Sequence, residues 1–280
     1  MKQVSPNVYV ETGIRGCNPG FVVTSEGIVM IDTPFMPRDA EAWRSEIAQR
    51  GRVIYVINTE HHPDHIAGNG FFGGTVVSYE GTREAFGSSM SLARETIAQR
   101  DPGAFALWEQ HPSRPPQVTF SDRLALHLGE HTIQLTHLIG HTANEVAVLI
   151  PEERVVFTSD NVFHKRQPYL NEAYPHEWLE ALKTIEAMDI DVIVPGHGEV
   201  CVKAYLPEFS SFIGEWIEAV REAIKRGLGK EEIIASVSFL DRYPMNPGRD
   251  DFGPELQRMN AARLYQILTE GEETLLKQRR

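Results

Sequence analysis

The sequence has few cysteines and no long apolar run. Only Cys17 and Cys201 occur in 280 residues, far apart and in no metal-like spacing. A disulfide framework is therefore not indicated, and both are predicted to be buried, small apolar residues. No stretch of about 18 apolar residues and no signal peptide is present, so we expect a soluble cytoplasmic protein without membrane contact.

Positive charge is also scarce. Lysine and arginine total 27 against 39 aspartates and glutamates, which gives a net charge of −12. Such a surface repels phosphate backbones and anionic lipid headgroups, so nucleic acid is not an expected partner and a nuclease is disfavoured. The basic cluster KQRR at 277–280 is predicted to be a solvated chain end.

The chain is long enough, and with 41% hydrophobic residues apolar enough, to bury a large core. Residues 1–202 read as strands and helices in two similar halves, each with strands followed by a helix and a strand. Residues 101–118 contain four prolines and are predicted to be a loop. Residues 203–280 form a C-terminal helical extension, with helices predicted at about 205–226, 229–239 and 254–272.

Residues that commonly bind metals occur in four places, at predicted strand ends or in glycine-rich turns. They are Glu60, His62, Asp64 and His65 in "EHHPDH", His141 in "IGHT", Asp160 in "FTSD" and His197 in "VPGHG". Imidazole and carboxylate ligands together suit zinc, iron or manganese. The buried strand "VIYVIN" leads directly into the first block, and loops after buried strands are where α/β folds place their chemistry.

With these blocks in this order, the sequence resembles the metallo-β-lactamase superfamily. That family has a His-x-His-x-Asp-His loop, a "GHT" histidine, an aspartate after a strand and a "GH" histidine after the last core strand. "IDT" at 31–33, "GN" at 68–69 and "GHTANE" at 140–145 also fit. The resemblance covers roughly residues 7–200 and implies an α/β fold, an αββα sandwich, here with the C-terminal α-helical extension.

The resemblance also implies a metal centre with two divalent ions. Carried over position by position, site one is Glu60, His62 and His141, site two is Asp64, His65 and His197, and Asp160 bridges the metals. A hydroxide lies between the metals in this family, and Asp64 would be the catalytic residue that orients the water. Two divalent metals lower the pKa of such a water and polarise a substrate carbonyl.

Glu60 departs from the family pattern, which has histidine at this position. Three interpretations stay open: Glu60 is a ligand, site one is empty or Glu60 only supports it, or His61 takes its place. Ligation by a carboxylate would remove the single positive charge that the usual centre keeps with its hydroxide. Zinc is the expected metal, and Glu60 adds manganese and iron as options.

Three further residues are candidates for supporting the ligands or contacting substrate. Asp32 ends a predicted core strand, His164 follows Asp160 by four residues, and Tyr243 lies between two C-terminal helices. The extension that contains Tyr243 could cover the site as a lid, form a homodimer interface or do both, and an ordinary helix connector is the alternative at Tyr243; the sequence leaves these open.

The leading functional hypothesis is a metallo-hydrolase. It would act on a carbonyl–heteroatom bond of a small-molecule lactone, ester, thioester or cyclic amide, and the fold does not choose among these. The alternatives are an iron-dependent oxidoreductase, such as a sulfur dioxygenase, and a non-catalytic sensor or binding module. Six of the seven expected ligands are unchanged, which disfavours the sensor.

Overall fold

Two β-sheets pack face to face at the centre of the computed structural model, which describes residues 1–277. Within that range the first sheet has seven strands in chain order: β1 (Lys2–Ser5), β2 (Val8–Val10), β3 (Gly20–Thr24), β4 (Gly27–Ile31), β5 (Val53–Ile57), β6 (Thr75–Tyr79) and β7 (Val118–Phe120). The remaining strands are β8 (Arg123–Leu128), β9 (His131–His137), β10 (Val146–Ile150), β11 (Val155–Phe157), β12 (Phe163–His164), β13 (Val192–Val194) and β14 (His197–Gly198).

The second sheet has the spatial order β13-β11-β10-β9-β8, and β12 pairs with β14. Strands β1 to β4 are antiparallel, whereas β4 to β7 run parallel. In the second sheet only the β11–β13 pair is parallel among the described strands. The predicted ligand blocks follow β5, β9, β11 and β13, so the topology delivers them from both sheets to one site.

Helices cover both outer faces of the two sheets. They are α1 (Pro37–Ala48), α2 (Pro63–Ile66), α3 (Glu80–Arg100), α4 (Pro102–Gln110), α5 (Pro175–Glu186), α6 (Leu206–Lys225), α7 (Lys230–Ser236), α8 (Gly253–Glu270) and α9 (Glu272–Lys277). The predicted loop at 101–118 is wrong over its first half, which is helix α4. The side chain of Asp101 caps this helix by accepting from the amide of Ala104, and Pro102 occupies the first turn, where a proline is tolerated.

Three hydrophobic clusters correspond to the three layer interfaces. Ile31 and Ile57 of the first sheet meet Val148 of the second between the sheets. Trp43 of α1 packs under the outer face of the first sheet, and Trp178 of α5 covers the second. Because each sheet buries both faces, the αββα sandwich is confirmed.

The C-terminal helices belong to the outer layer of the second sheet. Phe209 and Trp216 of α6 and Leu264 of α8 share one buried cluster with Ile193 of β13 and Trp178 of α5. The predicted boundary between 202 and 203 stays a prediction, since this cluster runs across it. Residues 278–280 of the predicted solvated end lie outside the described residues.

Two smaller expectations concern cysteines and membranes. Cys17 and Cys201 are both buried and unbridged, as predicted. None of the helices in residues 1–277 combines the length and the apolar character needed to cross a membrane.

Candidate metal centre

The first ligand block forms a tight turn between strand β5 and helix α2. His62 is the N-cap residue of this one-turn helix, and Pro63 pre-sets its first turn. Asp64 and His65 therefore fall within the helix, whereas Glu60 precedes it. The side chain of Glu60 is completely buried, so it is not a solvated loop residue.

The seven predicted ligands come together in two adjoining groups. Site-one residues Glu60, His62 and His141 join Asp160 in a group whose ligand atoms lie within 4.8 Å of one another, and Asp64, His65 and His197 form the second such group. Asp160 lies between them, with Oδ2 at 3.6 Å from His141 Nε2 and at 3.2 Å from His197 Nε2.

Two buried atoms in these groups have no hydrogen-bond partner within the described chain. They are Nε2 of His65 and Oδ1 of Asp160, which lie 3.4 Å apart. Buried polar atoms are rarely left without a partner unless they serve a ligand or an ion. Together with the imidazole and carboxylate donor set, they fit divalent metal ions.

The pKa values of the carboxylates of Asp160 and Glu60 depend on nearby positive charge. Burial alone raises the pKa of Asp160, but the imidazoles of His197 and His65 outweigh burial and hold its pKa well below the usual range. For Glu60, burial is likewise outweighed by His62 and His65, and the pKa is lowered. Divalent metals would supply such positive charge directly.

A second set of residues orients the ligands from behind. Asp32 accepts hydrogen bonds from the amide of Thr59 (2.8 Å) and from Nδ1 of His65 (2.9 Å). Nδ1 of His141 donates to the carbonyl of Tyr169 at 2.6 Å. Because Nδ1 of each ring donates to its acceptor, Nε2 is the atom that faces the centre and would bind a metal ion after losing any proton it carries.

Two non-glycine residues beside the ligands adopt a left-handed backbone. Asp32 and Ser159 each have φ of +53° directly after or near the ends of β4 and β11. Their side chains converge on Thr59, whose hydroxyl lies 2.5 Å from Asp32 Oδ2 and 2.9 Å from Ser159 Oγ. Strain of this kind persists where surrounding structure fixes it, often at functional sites.

His61 borders the site-one group without joining it: its Nδ1 lies 3.5 Å from Oε2 of Glu60, but it is not among the clustered ligand atoms. Its Nδ1 lies 3.1 Å from Nδ2 of Asn144, and it belongs instead to a group with His62 and Glu172 at the edge of the centre. Burial and the neighbouring His62 lower the pKa of His61 to about 4. Glu172, which the sequence analysis missed, carries no signal beyond being an acidic residue in a loop.

A cavity of about 330 Å³ opens over the ligands. Its floor includes His62, Asp64, His141, Asp160 and His197. Its walls come from the loop after β2, from α3, from the segment before α5 and from the α7–α8 connector, and its volume is within the range for small-molecule sites.

His164 and Tyr243 do not line this cavity. His164 donates from Nδ1 to the carbonyl of Glu199, and the hydroxyl of Tyr243 donates to Glu208 at 2.6 Å. The connector that contains Tyr243 still reaches the site, but through Asn246 and Arg249.

The chain matches a known protein family over most of its length. Residues 12–197 match the family described as the metallo-beta-lactamase superfamily. The chain belongs to the metallo-β-lactamase superfamily. The matched range contains both ligand groups, so the resemblance seen in the sequence is confirmed.

Curated relatives of this superfamily are hydrolases at low identity. The chain is 24% identical to a metallo-beta-lactamase type 2 of Elizabethkingia meningoseptica, over 71% of this chain and 78% of the relative. It is 26% identical to a hydroxyacylglutathione hydrolase of Brucella anthropi, over 69% of this chain and 66% of the relative. These matches confirm a metallo-hydrolase in the broad sense and name no substrate for this chain.

Solved structures of the superfamily share the fold. A metallo-beta-lactamase family protein from Thermus thermophilus aligns with a TM-score of 0.66 at 18% identity, over 96% of this chain and 95% of its own. The stereoselective inverting sec-alkylsulfatase Pisa1 from Pseudomonas sp. aligns with a TM-score of 0.70 at 17% identity, over 94% of this chain but 49% of its own. At these identities the likeness concerns the fold alone.

Proposed function

We propose that this superfamily member hydrolyses a carbonyl–heteroatom bond of a small molecule at a centre of two divalent metal ions. The observation that carries the proposal is the convergence of seven ligand-type side chains, with His65 Nε2 and Asp160 Oδ1 buried and without a partner in the described chain. Glu60, His62 and His141 would hold one ion, Asp64, His65 and His197 the other, and Asp160 both. Zinc is the proposed metal, with manganese or iron as options opened by Glu60.

The residues divide the work of such a reaction. When bound, the metals supply a water of lowered pKa and polarise the carbonyl. Asp64 lines the cavity, with its Oδ2 3.5 Å from His197 Nε2, and its carboxylate would accept a hydrogen bond from the attacking water. Asp32 holds His65 in one orientation, and the carbonyl of Tyr169 does the same for His141.

The names of the relatives support hydrolysis at a carbonyl group and do not identify the substrate of this chain. A lactone, an ester, a thioester and a cyclic amide each present a carbonyl with a heteroatom leaving group, and the cavity volume suits any of them. An oxidoreductase using iron is the second candidate, because Glu60 adds a hard oxygen donor to the group.

One experiment separates these candidates. The metal content of the purified protein would be measured, and the same preparation screened against lactones, thioesters, β-lactams and cyclic amides. Two equivalents of metal and turnover of one class are expected. A single iron with oxygen consumption would favour the oxidoreductase, and two bound metals without any turnover would contradict the hydrolase.

A further inference from the structure

Three arginines from distant parts of the chain line one cavity. Arg15 lies in the loop after β2, Arg100 is the last residue of α3, and Arg249 lies in the connector before α8. This concentration of positive charge is unexpected in a protein whose net charge is −12. Like charges are brought together at a cost, so the cluster needs a reason.

The three side chains act on one another electrostatically. Burial, and then the charges of Arg100 and Arg249, lower the pKa of Arg15. The nearby carboxylate of Asp251 opposes this with a smaller effect. The positive charge of the cluster therefore exceeds what Asp251 offsets.

Arg15 and Arg249 are each held by a neutral group. Arg15 donates to the carbonyl of Gly248 at 2.9 Å, and the guanidinium of Arg249 lies over the ring of Phe252 at 4.3 Å. A guanidinium that makes one hydrogen bond or one ring contact keeps other N–H groups available. These planar N–H groups match the oxygens of a carboxylate, sulfate or phosphate.

The cluster is physically joined to the metal centre. Gly16, next to Arg15, packs so closely on Asp64 that an added Cβ would stand 3.0 Å from the Cβ of Asp64. Phe252, on which Arg249 lies, stacks with Tyr169, whose carbonyl holds His141. The arginines and the ligands therefore line one cavity and can contact the same molecule.

We propose that the substrate carries an oxyanion group, separate from the bond that is hydrolysed, and that Arg15, Arg100 and Arg249 bind this group. The proposal rests on the proposed hydrolytic function of the same cavity. Phe35, Leu92, Phe252 and Met259 line the cavity as well, so the body of the substrate is apolar. A carboxylate, a sulfate and a phosphate share the required chemistry.

Glu60 in site one lowers the positive charge of the proposed metal centre, so the arginine cluster has a role in attracting an anionic substrate. With Glu60 as a ligand, a centre with two divalent ions and a hydroxide has no net charge, so it attracts an anion less than the usual centre does. The arginine cluster places the attraction on the cavity wall instead, where it also fixes the orientation of the substrate.

Anion binding can be measured without turnover. Glutarate, inorganic sulfate and inorganic phosphate would be titrated into the full chain by calorimetry, with and without metal, at constant ionic strength. We expect at least one of them to bind in both forms, about 10-fold more weakly to Arg249→Gln and to the exposed variant Arg100→Gln. Arg242→Gln, in the same connector but outside the cavity and paired with Glu215, should bind like the native chain.

The second measurement uses substrates. Matched 4-nitrophenyl esters that end in a carboxylate or in a neutral carboxamide would be compared by kcat/KM. We expect a preference of about 10-fold for the carboxylate, lost in Arg249→Gln and kept in Arg242→Gln.

The two measurements separate two kinds of failure. Hydrolysis of neither ester, with anion binding intact, would count against the hydrolase and leave the anion site standing. Anion binding that disappears with the metal and survives the substitutions at 100 and 249 would overturn the anion site. Binding of none of the three anions would overturn it as well.

Discussion

The group of Asp64, His65 and His197 differs from the group of Glu60, His62 and His141 in how its ligands are held. In the former, His65 is fixed from outside by Asp32, and its Nε2 is left without a partner in the described chain. In the latter, Nδ1 of His62 already hydrogen-bonds to Oε1 of Glu60 at 2.7 Å. A metal at site one must replace a proton between two of its own ligands.

This difference has a consequence for metal binding. Site two is pre-organised, so its ligands lose little freedom on binding an ion. Site one competes with an internal hydrogen bond. Burial lowers the pKa of His62, but the carboxylates of Glu60 and Glu172 outweigh burial and raise this pKa well above its usual value. We therefore expect site two to fill first. Because the pKa values of His65 and His197 in site two are raised as well, a higher pH should favour metal binding at both sites.

The largest expected effect comes from removing the residue that both groups share. Asp160→Asn should lower kcat/KM on the best substrate by about 1,000-fold or more, because several kcal/mol of charge stabilisation are lost with the metals. Metal analysis should find less than one equivalent. Asp241→Asn, an exposed change, is the control, and retention of two metals by the Asp160 variant would remove Asp160 from the bridging position.

Glu60→Ala tests site one, the group whose ligands are less well pre-organised. We expect bound metal to fall towards one equivalent, because site one loses a ligand while site two keeps Asp64, His65 and His197. Glu60→His, which restores the usual histidine of the superfamily, should keep two equivalents and tighten zinc relative to manganese. An unchanged stoichiometry in Glu60→Ala would remove Glu60 from the ligands.

Asp32→Asn tests site two, because Asp32 orients its ligand His65. Asparagine tolerates the left-handed backbone at this position, so the fold should survive, but the charged acceptor of His65 Nδ1 is lost. Metal affinity at site two should fall about 10- to 100-fold. Asp32→Ala adds backbone strain and should also lower the melting temperature. Equal metal affinity in native protein and Asp32→Asn would show that site two does not depend on this support.

The smallest expected effect lies below both groups, at the completely buried Glu145. Burial, and then the charges of Glu60 and Asp160, raise its pKa well above 4.5. The folded protein therefore keeps this proton, and the stability that the proton contributes is complete below the unfolded pKa and is lost as the pH rises through the folded pKa.

Glu145→Gln needs no proton and should be more stable than the native chain at pH 7 to 8, by roughly 2–4 °C for each kcal/mol gained. The advantage should shrink as the pH falls towards about 4.5, and melting curves across this range would measure it. The exposed Glu95→Gln should show no such trend. An advantage that does not depend on pH would indicate a packing effect rather than a held proton.

Much of the site was predictable because its ligands lie in short blocks with chemical identity. Four residues of one turn, a "GHT" histidine, an aspartate after a strand and a "GH" histidine were sufficient to predict the two groups. Asp32 was predictable as a supporting residue because it ends a core strand. The loop predicted at 101–118 is wrong only where α4 forms, because prolines usually break helices, whereas Pro102 after Asp101 begins one.

Other features had no local signal. Glu172 and Arg249 reach the cavity from loops whose sequence carries no ligand pattern, and Arg100 reaches it from a helix end. The left-handed backbone of Asp32 and Ser159 is likewise a consequence of packing, because neither residue type requires it.

The sequence by itself determined the family, the αββα sandwich and the candidate ligands, because strand periodicity and ligand spacing are local properties of the chain. Only the tertiary structure decided that Glu60 is buried against His62, that His61 stays outside the site-one group, and that three arginines line the cavity of the metal centre. These features depend on contacts between segments far apart in sequence, and such contacts are fixed by the packing of the two sheets and their helices.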